Sequence, residues 1–364
     1  MKICFLEGDM SRRGGTERMT ALLSNALCQN HNVWVISLRM HGESVFFNLN
    51  EKIQHIVLAD SSDNSGILKQ IQKIHSFIKQ NHVDWLINVD VGMCIFGIPA
   101  AFGTKTKVIT WEHGNFYNNW GSRWFPYFRR FAAKHSDAVV VLTERDKENY
   151  RTNIKTRKPI YVIANPAQKH PFQYDANSKI ILSAGLLLPI KGYDKAIQAA
   201  AKILPEHPDW KWVICGEGPE REHLEKMIAE AHLERQFLLP GTVQNMNEQY
   251  QKAAFYVMTS EMEGLPMVLL EAKSWGLPIV SFDIMTGPSD IIRDEVNGYL
   301  VPQNDVDVLA ERIEQLIVSS ELRLQFSQNS QLDMERFDFE NIVKKWLEVM
   351  RGEKEKNFIS SRSL

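Results

Sequence analysis

Short apolar runs separated by helix-length amphipathic stretches occupy most of the chain, and this alternation limits the fold more than any other feature. KICFLEG, NVWVISL, IQHIVLA, DWLINVD, KVITWEHG and DAVVVLTE come first; they are rich in β-branched residues and bounded by polar or turn residues, as strands are. TERMTALLSNAL and ILKQIQKIHSFIKQ, lying between them, carry helical spacing. Strands alternating with helices predict a parallel sheet covered on both faces. A second series follows: KIILSAGLL, WKWVICGEG, QFLLPG, AAFYVMTS and PIVSFD. The pattern breaks at IANPAQKHPF, where Asn165-Pro166 and Pro171 interrupt it. The 364 residues also exceed one comfortable core. The expected fold is α/β: two doubly wound, Rossmann-like domains over 1–168 and 169–345, facing across a cleft, with a helix end and mobile tail over 346–364.

In such sheets ligands sit beyond the carboxyl ends of the strands, so the loops that follow strands are where function is expected. Charge is divided unevenly between the halves. Residues 1–168 hold 21 Lys and Arg against 14 Asp and Glu, and 169–364 hold 21 against 30. The first half is thus suited to an anionic partner, but no basic run or known motif accompanies the excess, which argues against nucleic acid. Four scattered cysteines, Cys4, Cys28, Cys94 and Cys215, form no CxxC pair and suggest reduced, buried thiols. Glu7 interrupts the apolar start too early for a signal peptide, and no run is long enough to span a bilayer. A cytoplasmic protein is expected, either free or in peripheral contact with the inner face of the membrane.

Three loops stand out. EGDMSRRGGTERM leads from a strand through Gly14-Gly15 into a helix, where exposed amides and the helix dipole suit a phosphate; a plain tight turn is the alternative. SAGLLLPIKGYDKAI repeats the scheme with Lys191-Gly192 at a helix head. An ammonium there gains nothing from the dipole, which favours a ligand-binding role over a solvated lysine. EGLPMVLLEA places Glu263 before a Gly-Leu-Pro turn and Glu271 about one and a half turns into the following helix. Pro266 fits a first helical turn, and the amides beside it face an anion site. Two carboxylates flanking that site can grip hydroxyls on either side of it.

Glu263 and Glu271 form the E-x7-E pattern of glycosyltransferase family four, retaining enzymes of the GT-B fold, which this chain resembles. GGTER resembles that family's first glycine loop, Lys191-Gly192 the end of its G-R-L-x-x-x-K-G element, and CGEGPERE a later loop. FDIMTGPSDIIRDEVNGYLVP is similar to the segment after E-x7-E in many bacterial members. The resemblance implies Glu263, His113 and Lys191 as the catalytic set. It further implies that Glu271 holds the donor ribose and Glu263 the transferred sugar. The amides of Gly264, Leu265, Met267 and Val268, with the turn made by Pro266, frame sugar and phosphates, Lys191 and Gly15 meet the diphosphate, and Val243 lies by the base. His113, in WEHGN, matches a sugar-contacting position, whereas the residues alone leave it equally well structural. No metal and no cofactor are expected. The chain departs from the pattern at Leu186, where the family carries an Arg that forks onto the diphosphate.

The expected activity is retaining transfer of a hexose or N-acetylhexosamine from a nucleoside diphosphate sugar, UDP by resemblance, to a sugar hydroxyl of a lipid-linked surface glycan. A sugar-nucleotide epimerase of the same fold and a non-catalytic nucleotide-sugar-binding subunit are the alternatives. Asp305-Val306-Asp307 spells DxD but opens an amphipathic helix, where Asp serves as a cap. NNWGSRWFPYFRRFAAKH interleaves Trp120, Trp124, Phe125 and Phe128 with Arg123, Arg129, Arg130 and Lys134. Such a helix suits an anionic bilayer or ordinary packing on the sheet.

Overall fold

The computed structural model describes residues 1–59, 66–119, 121–168, 170–171 and 173–353. Trp120 and the tail 354–364 lie outside them. The chain divides into two compact units, Met1–Asn165 with Glu340–Leu364, and Pro166–Phe339.

The first unit is built on parallel strands β1 (Lys2–Glu7), β2 (Asn32–Arg39), β3 (Gln54–Ala59), β4 (Trp85–Val89), β5 (Lys107–Trp111), β6 (Ala138–Val141) and β7 (Ile160–Val162). They lie in the order β3-β2-β1-β4-β5-β6-β7. The second unit repeats the plan with β8 (Ile180–Ala184), β9 (Lys211–Cys215), β10 (Phe237–Gly241), β11 (Phe255–Met258), β12 (Ile279–Asp283) and β13 (Gly298–Pro302), ordered β10-β9-β8-β11-β12-β13. Central strands read as unbroken apolar runs because helices cover both faces: every residue of β4 and of β11 is buried. The chain leaves β1 on one side and returns to β4 on the other, and does the same at β8 and β11. Each sheet therefore has a crevice at the carboxyl ends of those two strands, where the loops diverge.

The sequence reading did not separate out β7 and β13. Both are edge strands, one only three residues long, with too little alternation to register as a pattern. The units also differ from the expected boundaries of 1–168 and 169–345. From Glu340 onward, helix Phe339–Arg351 belongs with the first unit, where buried Trp346 meets buried Trp111 edge-to-face at 4.8 Å between ring centroids. Such a pair adds about 0.5–1.5 kcal/mol beyond the area it buries.

The aromatic-basic helix runs from Phe125 to His135. Arg123, Trp124, Tyr127, Arg130 and Lys134 are exposed, while Phe125 and Phe128 are partly buried and pack beside Val91, Cys94 and Ala132. Arg129 is fully buried, which corrects its assignment to a lipid-facing surface. Its guanidinium is held by protein partners instead. Among the described residues no helix is long and apolar enough to cross a membrane.

Candidate active site

The second unit's crevice brings together the loops after β8 and β11. After β8 the chain makes a tight turn, Pro189–Lys191, and Gly192 then precedes helix Tyr193–Ile203 with φ 61°. A Cβ on Gly192 would lie 2.3 Å from the carbonyl oxygen of Thr259, so only glycine lets these loops approach so closely. The Thr259 hydroxyl donates to the Lys191 carbonyl at 3.0 Å across the same contact. The result is an ion pair: Lys191 Nζ stands 2.6 Å from Glu263 Oε1, both side chains less than a quarter exposed.

Beyond Glu263 the chain turns through Gly264, Leu265 and Pro266 into helix Met267–Ser274. Pro266 is the residue before the helix, one position earlier than expected. Its carbonyl accepts the Leu269 amide at 3.1 Å, so the amides of Met267 and Val268 precede the first intrahelical bond. Leu265 and Pro266 are buried; Gly264, Met267 and Val268 are half-buried. A neighbouring loop braces this turn. The Thr286 hydroxyl donates to the Glu263 carbonyl at 2.7 Å, and a Cβ on Gly287 would come within 2.7 Å of the Gly264 oxygen. Thr286 and Gly287 belong to the TGPSDII segment, whose local task is thus to fix the turn carrying Glu263.

Glu271 is half-buried on the helix and accepts from the Tyr250 hydroxyl at 2.8 Å through Oε2. Nothing in the sequence singled out Tyr250, which arrives from helix Met246–Lys252. Val243 is half-buried in the loop after β10. Close by, Gly241 is hemmed by Glu217, itself paired with Arg221 at 2.7 Å. Leu186 is 62% exposed, so the position that departs from the family pattern carries an apolar side chain facing solvent. Asp305 caps helix Val306–Val318, accepting the Val308 amide at 3.0 Å, and Asp307 pairs with Lys202. DxD here is a helix start. Among the described residues no three His, Cys, Asp or Glu side chains are grouped to hold a metal ion.

Gly15 and His113 lie in the first unit. Gly15 opens helix Gly15–Leu27, and a Cβ there would meet nothing within 4 Å, leaving room for close approach from outside. His113 follows β5, with its ring 4.1 Å from that of Trp111. Burial pulls its pKa down to about 3, so the imidazole is neutral at physiological pH, and Nε2 is buried without a hydrogen-bond partner. The first crevice also holds two carboxyl groups that sequence reasoning missed. Burial, with Glu17 nearby, raises Glu7 to about 8 at the end of β1. Burial, with Glu112 nearby, raises Asp90 to about 7 just after β4.

Comparisons with known proteins agree with this architecture. Residues 13–168 match the model of Glycosyltransferase Family 4, and residues 165–333 that of Glycosyl transferases group 1. An uncharacterized glycosyltransferase of Haemophilus influenzae is 31% identical over 355 residues, covering 96% of this chain and 99% of the relative. A Campylobacter jejuni protein, named GalNAc-alpha-(1->4)-GalNAc-alpha-(1->3)-diNAcBac-PP-undecaprenol alpha-1,4-N-acetyl-D-galactosaminyltransferase, is 28% identical over 363 residues, covering 96% of this chain and 98% of its own. Among solved structures, Anabaena Alr3699/HepE in complex with UDP and glucose superposes with a TM-score of 0.81 at 19% identity, over 96% of this chain and 99% of that one. The chain belongs to the glycosyltransferases, an α/β enzyme of the GT-B fold with a family 4 domain followed by a group 1 domain.

Proposed function

We propose that the enzyme moves a hexose or N-acetylhexosamine from a UDP-sugar, with retention, to a sugar hydroxyl of a lipid-linked glycan in surface-polysaccharide synthesis. The observation that carries the donor site is the meeting of Lys191 with Glu263 at 2.6 Å in the crevice of the second sheet, with Glu271 on the adjoining helix. In this reading Glu271 holds the ribose, Glu263 the sugar, Lys191 and Gly15 the diphosphate, and His113 a sugar hydroxyl. The segment from Gly264 to Val268 frames sugar and phosphates, and Val243 lies by the base. The bond from the anomeric carbon to the β-phosphate oxygen breaks and one to the acceptor oxygen forms. The proton of the acceptor hydroxyl passes to the departing phosphate. Lys191 and the helix-start amides stabilise the charge that develops on the diphosphate.

UDP is supported by the UDP-bound Anabaena structure, and the lipid-linked acceptor by the undecaprenol-linked substrate in the Campylobacter relative's name. Peripheral contact with an anionic membrane rests on the exposed Arg123, Trp124, Tyr127, Arg130 and Lys134. A thermal-shift series tests the donor: UDP raises the melting temperature more than GDP or ADP at equal concentration. A preference for GDP sinks the assignment. The anomeric configuration of the product, read by NMR, tests retention.

A further inference from the structure

The loop after β5, residues 112–119, is strung on charged and polar groups that have been taken fully out of water. Arg129 and Glu112 are each 0% exposed, as are Tyr150 and Asn115. Arg129 Nε donates to Glu112 Oε2 at 2.9 Å, and the Tyr150 hydroxyl donates to the same oxygen at 2.8 Å. Arg129 also reaches the far end of the loop, donating through Nη1 to Asn119 Oδ1 at 2.8 Å and through Nη2 to the carbonyl of Asn118. The middle is fixed from another helix, where Asp146 Oδ1 accepts the Phe116 amide at 2.7 Å. Asn115 Oδ1 closes the turn by accepting the amides of Tyr117 and Asn118 at 2.9 and 3.0 Å.

A buried ion pair gives little net stability, because desolvating both charges offsets their attraction; apolar residues of like volume serve a core as well or better. What apolar residues cannot do is bind loop backbone at defined points. We infer that Arg129, Glu112 and Tyr150 form a positioning device that fixes the loop and sets the imidazole of His113, the residue beside Glu112, for the transferred sugar. This rests on the sugar-contacting role proposed above for His113. None of the three is given a substrate contact in this reading; they act through His113, whose ring packs 4.1 Å from that of Trp111 at the start of the loop.

The test is a double-mutant cycle of Tyr150→Phe and His113→Ala. It is read as UDP release on hydrolysis of UDP-glucose, UDP-galactose, UDP-N-acetylglucosamine or UDP-N-acetylgalactosamine, using whichever wild type turns over fastest. Tyr150→Phe keeps the ring and removes one hydroxyl, so it preserves the fold where loss of Arg129 would strand Glu112. We expect kcat to fall about fivefold, the size of one lost hydrogen bond, with the dissociation constant for UDP within about twofold of wild type. In the His113→Ala background, Tyr150→Phe should have no further effect. An equal fivefold loss in both backgrounds, or none in either, overturns the positioning role while leaving that of His113 intact. Wild-type turnover by His113→Ala removes the role of His113 and the inference with it, and so does failure of wild type to turn over any of the four donors.

Discussion

Replacing Gly192 with alanine tests whether the contact between two loops is what assembles the Lys191–Glu263 pair. The backbone at 192 is left-handed, φ 61°, which costs an L-residue roughly 1–2 kcal/mol. The new methyl group would also lie 2.3 Å from the Thr259 oxygen, about 1 Å inside ordinary contact, and overpacking of that kind adds roughly 1–3 kcal/mol. The sum is about 2–5 kcal/mol, or a drop of order 10 °C in the melting temperature of a unit this size. Because the strain is relieved by parting the two loops, Lys191 should draw away from Glu263 and the Thr259–Lys191 bond should break. Calorimetry on the full chain measures the first effect, and titration with UDP the second, expected as at least a tenfold weaker dissociation constant. Gly192→Asn separates the causes. Asparagine tolerates the left-handed region better but carries the same Cβ, so it should recover part of the stability and little of the affinity. A melting temperature within about 2 °C of wild type, with unchanged UDP affinity, would refute the reasoning.

Glu271→Ala should weaken UDP itself, whereas Glu263→Ala should leave UDP affinity at or above wild type, since it frees Lys191, and abolish transfer; equal losses of UDP affinity in both variants would overturn the division of roles. A carboxyl raised in the folded state stabilises fully below its unfolded pKa, and that contribution is lost as pH rises through the folded value. For Glu7, raised to about 8, the loss runs from the mid-4s to about pH 8, so Glu7→Gln should flatten the fall in melting temperature between pH 5.5 and 8.5. A wild-type profile no steeper than the variant's counts against it. Chelation with EDTA should leave transfer intact, and Asp305→Ala should cost only the cap, about 1 kcal/mol of stability. Activity lost in EDTA and restored by manganese would contradict this. Arg123, Arg130 and Lys134 changed together to Ser should release the protein from phosphatidylglycerol vesicles in co-sedimentation at low salt; wild type left in the supernatant excludes the membrane contact.

The central strands were legible because burial on both faces forces long apolar runs, and the candidate donor loops because glycines and paired glutamates leave marks at fixed spacing. What sequence could not show was tertiary. Tyr250 reaches Glu271 from a helix with no periodic link to it. Arg129 looked like one more basic residue on an aromatic helix, and only folding reveals that it lies on the inner side beneath a loop ten residues upstream. Trp346 sat in an amphipathic segment that suits either unit equally well, since the apolar stripe of a helix does not say which sheet it covers.

The return of helix Phe339–Arg351 to the first unit has a consequence for biosynthesis. Ala167 donates its amide to the Phe337 carbonyl at 2.8 Å, so the chain enters and leaves the second unit at neighbouring points, and that unit is a continuous insertion within a split one. The apolar face around Trp111 stays uncovered until the stretch of chain that follows the second unit supplies Trp346. The first unit in the sequence therefore cannot finish folding until synthesis has passed through the whole of the second. Expressed alone, residues 166–339 should give a folded domain, whereas 1–165 should need the last helix supplied in trans.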